Sequence, residues 1–507
     1  MIASAITLMV RKTVRSSIII LAVSLTTAVL AAVVPGCDSL SKIIPTGNRD
    51  AFIYDRVVEV RITMSPEDWA FMQKNATRKP YVMADMRFDG ELVSGVAVRP
   101  KGASSLQSVY ELGSPRFSLT VDFNLLDSER SFRGLKKLNF DDGFLDPSYV
   151  RERLASELFQ QMGVPAPRES HVNLWVNNDH LGVYTQVEEI DKAFLKKNYK
   201  QDGGNLYRGA GPLNWNKEQL AAIRSILTAE KLAASADNVT VRENLLAALQ
   251  QQEPRISHNQ TSPLQRPDWW LDDLLLGLDT NKKHPNHTAL FKLVDVICNE
   301  PDQTFPQEIE KVLDVDEVLR YLAVSSLIGY LDGYLNHSTN TYLYEIDGKF
   351  SMIPWDLVET FGIYGCKSFV GGNWSNCTSR QGMLNFYIDE PTCAPLAEFP
   401  LVQRLLSHQP YLNTYHGYFK QLLGGPFSVQ AMDSHIDALR AMIGPSVAGE
   451  YYKLFLPGDF ERSLEEDVSG AIGLKAFVRE RNASVARQLA GTRPSAGDGS
   501  GNMDLCR

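Results

Sequence analysis

The chain has 507 residues, 44% of them hydrophobic and 22% charged, enough apolar material for a large core divided over roughly two to four domains or lobes. Its formal net charge of −9 argues against a nucleic-acid partner, which calls for a basic face. Enzymes, binding modules and scaffolds all stay open.

In chain order, Arg11, Lys12 and Arg15 precede the uncharged apolar run SSIIILAVSLTTAVLAAVV, the layout of a secretion signal. The run ends at Val34-Pro35-Gly36-Cys37, which resembles a bacterial lipobox with an unusual Pro35. The alternative is a plain membrane anchor beside an incidental cysteine. On the lipobox reading, residues 1–36 are a lipoprotein signal peptide and Cys37 is lipidated. The mature chain then works outside the cytoplasm, held by its lipid on the bacterial cell envelope, with residues 37–50 as a polar tether. No other segment is long and apolar enough to span a bilayer. Such a location permits disulfides, and one pair among the clustered Cys366, Cys377 and Cys393 is expected; Cys298 and Cys506 lie apart.

Residues 51–210 are β-rich. VVEVRITM predicts a strand, and SPEDWAFMQ a helix with Ser65 as N-cap, Pro66 at the first position, and Glu67 and Asp68 in the first turn. YVMADMRFDGELVSGVAVRPKG predicts two strands about Asp89-Gly90. In PRFSLTVDFN, Phe117, Leu119, Val121 and Phe123 fall on one face, and Arg116, Ser118, Thr120 and Asp122 on the other. The stretch Lys101-Gly102-Ala103-Ser104-Ser105 suits a loop over phosphates, although ordinary loops share its composition. DPSYVRERLASELFQQMG reads as an amphipathic helix opened by Asp146-Pro147 and stopped at Gly163. SHVNLWVN and LGVYTQVEE follow as strands joined through Asn177-Asn178-Asp179.

Residues 211–310 turn helical, as an insertion or the upper part of a second lobe. Within them His284 and His287 read as members of a solvated loop rather than metal ligands, and Trp269 and Trp270 as packing residues. Residues 311–489 are mainly helical, with His408, His416 and His435 as satisfied surface histidines, and residues 490–507 read as a disordered tail.

The chemistry concentrates between Tyr330 and Gly362. Asp332 follows the apolar helix LAVSSLIGYL; TYLYEI and KFSMI are strands joined by Asp347-Gly348, a strong hairpin signal; and the second strand delivers Asp356 into a loop. The hairpin lets Asp332 and Asp356 approach each other, with Asn336 and Asn340 between them in sequence. Phosphoryl transfer needs one acid to orient a hydroxyl and another to hold Mg²⁺ with an amide oxygen. Asp and Asn as plain caps and turn formers are the alternative.

The run LDGYLNHSTNTYLYEIDGKFSMIPWDLVETFG resembles the signature block of the CotH family, spore-coat-type proteins with an atypical protein-kinase fold. VAVRPKGASSL, PRFSLTVDFN, GLKKLNF, RERLASELFQQMGVPAPRESHVNLWVNNDHLGVYTQVEEIDKAFLKKNY and GNLYRG match it in order upstream. The resemblance implies an α+β, atypical protein-kinase-like fold: a β-rich N-lobe with a hinge at Gln186 to Glu189, then a mainly helical C-lobe. It implies ATP and Mg²⁺ (or Mn²⁺) as cofactors, and transfer of the γ-phosphate to Ser or Thr hydroxyls of exported or cell-surface proteins. Asp332 would orient the acceptor hydroxyl, Asp356 would ligate the metal, and Asn340 would assist it, with Asn336 competing for that role. Relatives often carry a lysine where Thr120 stands, so Lys101 and Arg116 are the expected phosphate-binding cations, Glu152 or Glu157 their partner, and Glu188 a hinge contact to the nucleotide. Val358 also replaces a polar residue common in relatives, leaving Glu359 beside it. These two departures support a second class, an inactive kinase-fold scaffold or binding protein of the cell envelope. A hydrolase with paired acids would leave the hairpin and the β-rich half unexplained.

Overall fold

Alternating burial builds the first half of the protein. In β1 (Val58–Thr63) Val58, Val60 and Ile62 are buried while Glu59 and Thr63 are exposed. This architecture comes from a computed structural model that describes residues 50–221, 224, 277–336, 338–370, 373–376 and 379–502. Helix α1 (Pro66–Lys74) follows β1, and the Ser65 side chain accepts from the Asp68 N–H as the N-cap spacing predicts. Strands β2 (Val82–Phe88) and β3 (Glu91–Pro100) turn through Asp89 and Gly90, both at positive φ (51° and 84°), the backbone a tight two-residue hairpin demands. Helix α2 (Ser104–Glu111), β4 (Leu119–Asp122), β5 (Lys137–Asp141), α3 (Arg151–Gln161), β6 (Glu169–Val176) and β7 (Asp179–Glu188) come next. The strands close into a barrel in the order β1-β2-β3-β4-β5-β7-β6, with β6 parallel to β1.

The barrel interior takes Phe117, Leu119, Val121 and Phe123, as the period of two requires. The opposite face of that strand is polar yet equally buried: Arg116, Ser118, Thr120 and Asp122 all lie inside the protein. Helix α3 starts at Arg151 rather than at Pro147. The Asp146 carboxylate accepts the Arg151 N–H at 3.0 Å and pairs with its guanidinium at 2.6 Å, so the expected first turn is a capping loop.

The second half contains α4 (Lys192–Tyr199), β8 (Asn205–Arg208), α5 (Thr288–Asn299), α6 (Phe305–Val312), α7 (Val315–Ile328), β9 (Thr341–Ile346) and β10 (Lys349–Pro354). The last two form the expected hairpin about Asp347 and Gly348 and extend through β8 into a sheet ordered β10-β9-β8. After β11 (Lys367–Val370) and β12 (Asn373–Asn376), the helices α8 (Arg380–Leu384), α9 (Pro400–Ser407), α10 (Gln409–Gly424), α11 (Val429–Ala448), α12 (Asp459–Ser463) and α13 (Leu474–Leu489) finish a mainly helical part. The architecture is mixed α+β, β-rich first and helical second. Among the described residues no helix is long and apolar enough to cross a membrane.

Two further expectations need correction. His287 is buried, not solvated, with Nδ1 3.2 Å from the Tyr207 hydroxyl. Residues 491–502 are not a disordered tail: the backbone N–H groups of Gly497 and Gly501 donate to the Glu390 carboxylate, and fully buried Asn502 donates to the Glu390 and Thr392 carbonyls. Cys366 and Cys393 form the expected disulfide. Cys37, Cys377, Cys506, Trp269 and Trp270 lie outside the described residues.

His171, fully buried on β6, makes folding sensitive to acid. Burial and then the Arg153 guanidinium lower its pKa to about 4, while Nε2 lies 2.8 Å from the Tyr149 carbonyl. The unfolded chain takes this proton near the ordinary value of 6.5, the native chain only near about 4. This contribution is therefore complete above the unfolded value and is lost as pH falls toward the folded one, by about 3 kcal/mol in all. Urea midpoints measured across that window should fall less steeply with acid in His171→Gln than in the native protein. Equal slopes would remove His171 as the cause.

Candidate functional site

Two loops carry the central residues, and a single hydroxyl ties them together. Helix α7 stops at Gly329 (φ 65°), and the hydroxyl of the next residue, fully buried Tyr330, sits between the Asn340 and Trp355 carbonyls as a shared donor, 2.5 Å from the latter. The Trp355 N–H also donates to the Asn340 carbonyl at 2.9 Å. Asn340 (φ 48°) and Asp356 (φ 55°) both occupy the left-handed region, which Asn and Asp tolerate better than other residues with a side chain. Strained backbone fixed by surrounding contacts is typical of functional loops.

These loops border a cleft of about 800 Å³ whose lining includes Lys101, Asp141, Glu152, Asn340, Trp355 and Asp356. Lys101 Nζ sits 2.5 Å from Asp141 Oδ1 and 5.4 Å from the centroid of the Trp355 ring. Burial alone would lower its pKa, but Asp141 and then Asp356 hold it above the usual lysine value, so it is a permanent cation. Glu152 enters from α3. Burial, then Glu169, Asp141 and Asp356, push its pKa well up, and Lys101 only partly opposes them. Asp356 opens to the cleft; loss of hydration holds its pKa above the usual carboxylate value, with Lys101 opposing and Asp141 adding to the rise. The site thus crowds carboxylates around one ammonium, and a bound cation would relieve that repulsion.

Asn340 links Asp332 to this cleft. Its amide Nδ2 donates to Asp332 Oδ2 at 2.6 Å and to the Asp332 carbonyl at 3.3 Å, and the Thr339 hydroxyl donates to that carbonyl at 3.1 Å. Asp332 itself is not among the lining residues. With Nδ2 engaged, the Asn340 side-chain oxygen is the atom left to face a metal beside Asp356. Among the described residues no three His, Cys, Asp or Glu side chains could hold a metal ion together. That donor set fits Mg²⁺, which is commonly held by one or two carboxylates with phosphate oxygens completing the shell, and it does not fit a protein-caged zinc.

Other expected residues lie elsewhere. Asn336 does not line the cleft, and its buried Nδ2 has no hydrogen-bond partner among the described residues. Arg116 is fully buried, 2.9 Å from Glu450, and cannot serve a ligand in the cleft. Glu157 binds His435 (2.5 Å) and Arg153 (2.8 Å). Glu188 pairs with Arg168 at 2.5 Å, and it is the next residue, Glu189, that lines the cleft, since neighbours on a strand point to opposite faces. Thr120 donates to Asn139 Oδ1 at 2.9 Å, and Asn139 Nδ2 donates to Glu189 at 2.6 Å, so a neutral relay occupies the place expected for a lysine.

Asp141, Asn139, Trp355, Tyr330, Lys79, Arg99 and Arg208 escaped the sequence reading. For Asp141 a signal existed: in KKLNFD the period of two puts it on the same face as Asn139, at the end of a strand. For Lys79 and Arg208 none existed, because separate elements bring them to the cleft.

Residues 98–485 match the family model described as CotH kinase protein. The chain is 22% identical over 342 residues to inner spore coat protein H of Bacillus subtilis, covering 67% of this chain and 76% of that protein. It is 21% identical over 313 residues to spore coat protein homolog 1 of Rhizopus delemar and 22% identical over 315 residues to invasin CotH7 of the same fungus. Both matches take in 60% of this chain and 41% of the fungal protein.

Proposed function

The chain belongs to the CotH family, and from that premise we propose that it is a phosphotransferase: a Mg²⁺-dependent kinase moving the γ-phosphate of ATP to Ser or Thr hydroxyls of exported or cell-surface proteins. The observation that carries this reading is the convergence of Lys101, Asp356 and Asn340 on one cleft, with Asp332 fixed behind Asn340 by a 2.6 Å hydrogen bond. Lys101 meets phosphate oxygens as a fixed positive charge. The N–H groups at the start of α2, beside Gly102, Ala103 and Ser105 in the cleft wall, offer further donors to them. Asp356 and the Asn340 side-chain oxygen would hold Mg²⁺, which when bound neutralises phosphate charge. Asp332, oriented by Asn340, accepts the proton of the acceptor hydroxyl. Positioning and charge neutralisation make up most of what such a reaction needs.

The site of action in this proposal is outside the cytoplasm, with the chain anchored through lipidated Cys37. The Cys366–Cys393 disulfide, buried at both ends, suits an oxidising compartment. Thr120 and Val358 favour a second reading, a cell-envelope scaffold that has kept the cleft without the chemistry.

Transfer from labelled ATP with Mg²⁺ or Mn²⁺ separates the two, using protein from Ser39 onward and Asp332→Ala and Asp356→Ala as controls. Label incorporated by the native chain and lost in both variants establishes the kinase. No incorporation and no nucleotide-induced shift in unfolding midpoint, where saturating ligand would add about 2.7 kcal/mol at a hundredfold excess over Kd, leaves the scaffold.

A further inference from the structure

Besides Lys101 the cleft is lined by four cations with no role in the scheme above, Lys79, Arg99, Arg208 and Lys282, and the first three are the subject here. Lys79 follows the short turn 76–78, Arg99 sits on β3 and Arg208 ends β8, yet all three line the cleft. They are close enough that, after burial, the fields of Arg99, Lys101 and Arg208 are what depress the Lys79 pKa. Among the described residues neither Lys79 nor Arg99 has a carboxylate within ion-pair distance. The Arg99 guanidinium rests 5.5 Å from the centroid of the Tyr81 ring, and its buried Nε has no hydrogen-bond partner among the described residues. Arg208 shares Asp279 with Lys282, at 2.9 and 3.4 Å. Like charges held together in this way repel, and a bound anion offsets the cost.

Their place identifies the anion. Arg208 pairs in register with Tyr342, two residues beyond Asn340, and lies within the field of Glu189 just after β7, while Arg99 pairs in register with Thr120 of β4, so the trio spans the cleft wall from β3 to β8. A nucleotide would present its phosphates to Lys101 and Asp356, and its nucleoside, which carries no charge, would leave these cations unmatched. A linear phosphoanhydride chain carries negative charge on every phosphate. The cationic lining also continues: a neighbouring groove of about 890 Å³ shares Arg208 and Lys282 with the cleft and adds Lys137, Lys192 and Lys283. The acids along it are engaged. Glu189 accepts from Asn139, Asp191 caps α4, and Asp279 is paired.

We propose, on the phosphotransferase reading above, that the cleft also accepts inorganic polyphosphate as donor, with Lys79, Arg99 and Arg208 as a second phosphate subsite. In the step this implies, the terminal P–O–P bond breaks and its electron pair leaves on the shortened chain. The acceptor oxygen bonds the phosphorus, and the hydroxyl proton passes to Asp332.

The test compares pyrophosphate, tripolyphosphate, medium-chain polyphosphate and ATP, read by unfolding midpoint. Phosphoprotein formation is then followed by mass spectrometry with polyphosphate as the only donor. Midpoint shifts should grow with chain length, polyphosphate alone should support transfer, and Lys79→Ala should weaken polyphosphate binding by roughly tenfold or more while sparing pyrophosphate. Arg208→Gln is the second variant, and the ligand-free midpoints report whether each variant folds. Transfer from ATP with no binding or transfer from polyphosphate overturns this inference and leaves the kinase standing. Polyphosphate binding that both variants leave unchanged overturns the subsite. No shift and no transfer with any donor overturns the phosphotransferase reading as well.

Discussion

Asp356→Asn should lower phosphate transfer by about 100- to 1,000-fold, the range that follows removal of one preorganised charge-stabilising group from an active site. The substitution keeps the shape of the side chain and takes away one negative charge, so the metal requirement should rise along with the loss in rate. Stability should move the other way. Asp356 is held above the usual carboxylate pKa first by its loss of hydration, which the attraction of Lys101 offsets only in part, and then by Asp141; it also adds to the repulsion on Glu152. Removing the charge removes that desolvation cost and the repulsion, and Lys101 keeps its 2.5 Å contact with Asp141. The ligand-free protein should therefore unfold at the same denaturant concentration or a higher one. Loss of stability together with loss of activity would mean that Asp356 holds the fold rather than the metal. Lower activity with equal or higher stability is the pattern of a residue kept for function at a cost to the fold.

Glu450→Ala should destabilise the protein by about 3–5 kcal/mol, because it leaves a buried guanidinium without its counter-charge. Glu450, just beyond α11, lies 2.9 Å from Arg116, accepts the Val183 N–H at 2.7 Å and accepts from the Tyr149 hydroxyl at 3.0 Å. Both charged side chains are fully buried. Arg116 also donates to the Val183 carbonyl at 2.7 Å and to the Tyr452 carbonyl at 3.3 Å, so this ion pair joins the barrel to the chain that leaves the helical part. Gly182 belongs to the same device. A Cβ there would clash with Arg116 Nη1 and lie 2.7 Å from Glu450 Oε1, at φ 118°, so Gly182→Ala should destabilise by pushing this pair apart and by backbone strain. Urea unfolding measures both variants, and a Glu450→Ala midpoint equal to the native one would show that water reaches Arg116 and solvates it.

Much of the fold is written locally. The alternation Phe117, Leu119, Val121, Phe123 places that strand's apolar face in the barrel, Ser65-Pro66 starts α1, and Asp347-Gly348 turns the β9–β10 hairpin. Each signal needs only neighbours in sequence, since side-chain direction and turn dihedrals repeat over a few residues. The same local logic places Asp332 just after a helix and Asp356 just after a strand.

The sequence does not determine which charges meet. Lys101 takes Asp141 although Glu152 lines the same cleft, Arg116 takes Glu450 rather than a ligand, and Asn340 rather than Asn336 reaches Asp332. Closure of the barrel through parallel pairing of β1 with β6, and the gathering of Lys79, Arg99 and Arg208, belong to the same class. An ion pair is chosen by distance, burial and competing partners, and those are set when elements distant in the chain pack together. Periodicity along the chain carries no record of that choice, so the sequence alone determines the elements and the candidate acids, and the tertiary structure alone decides their partners.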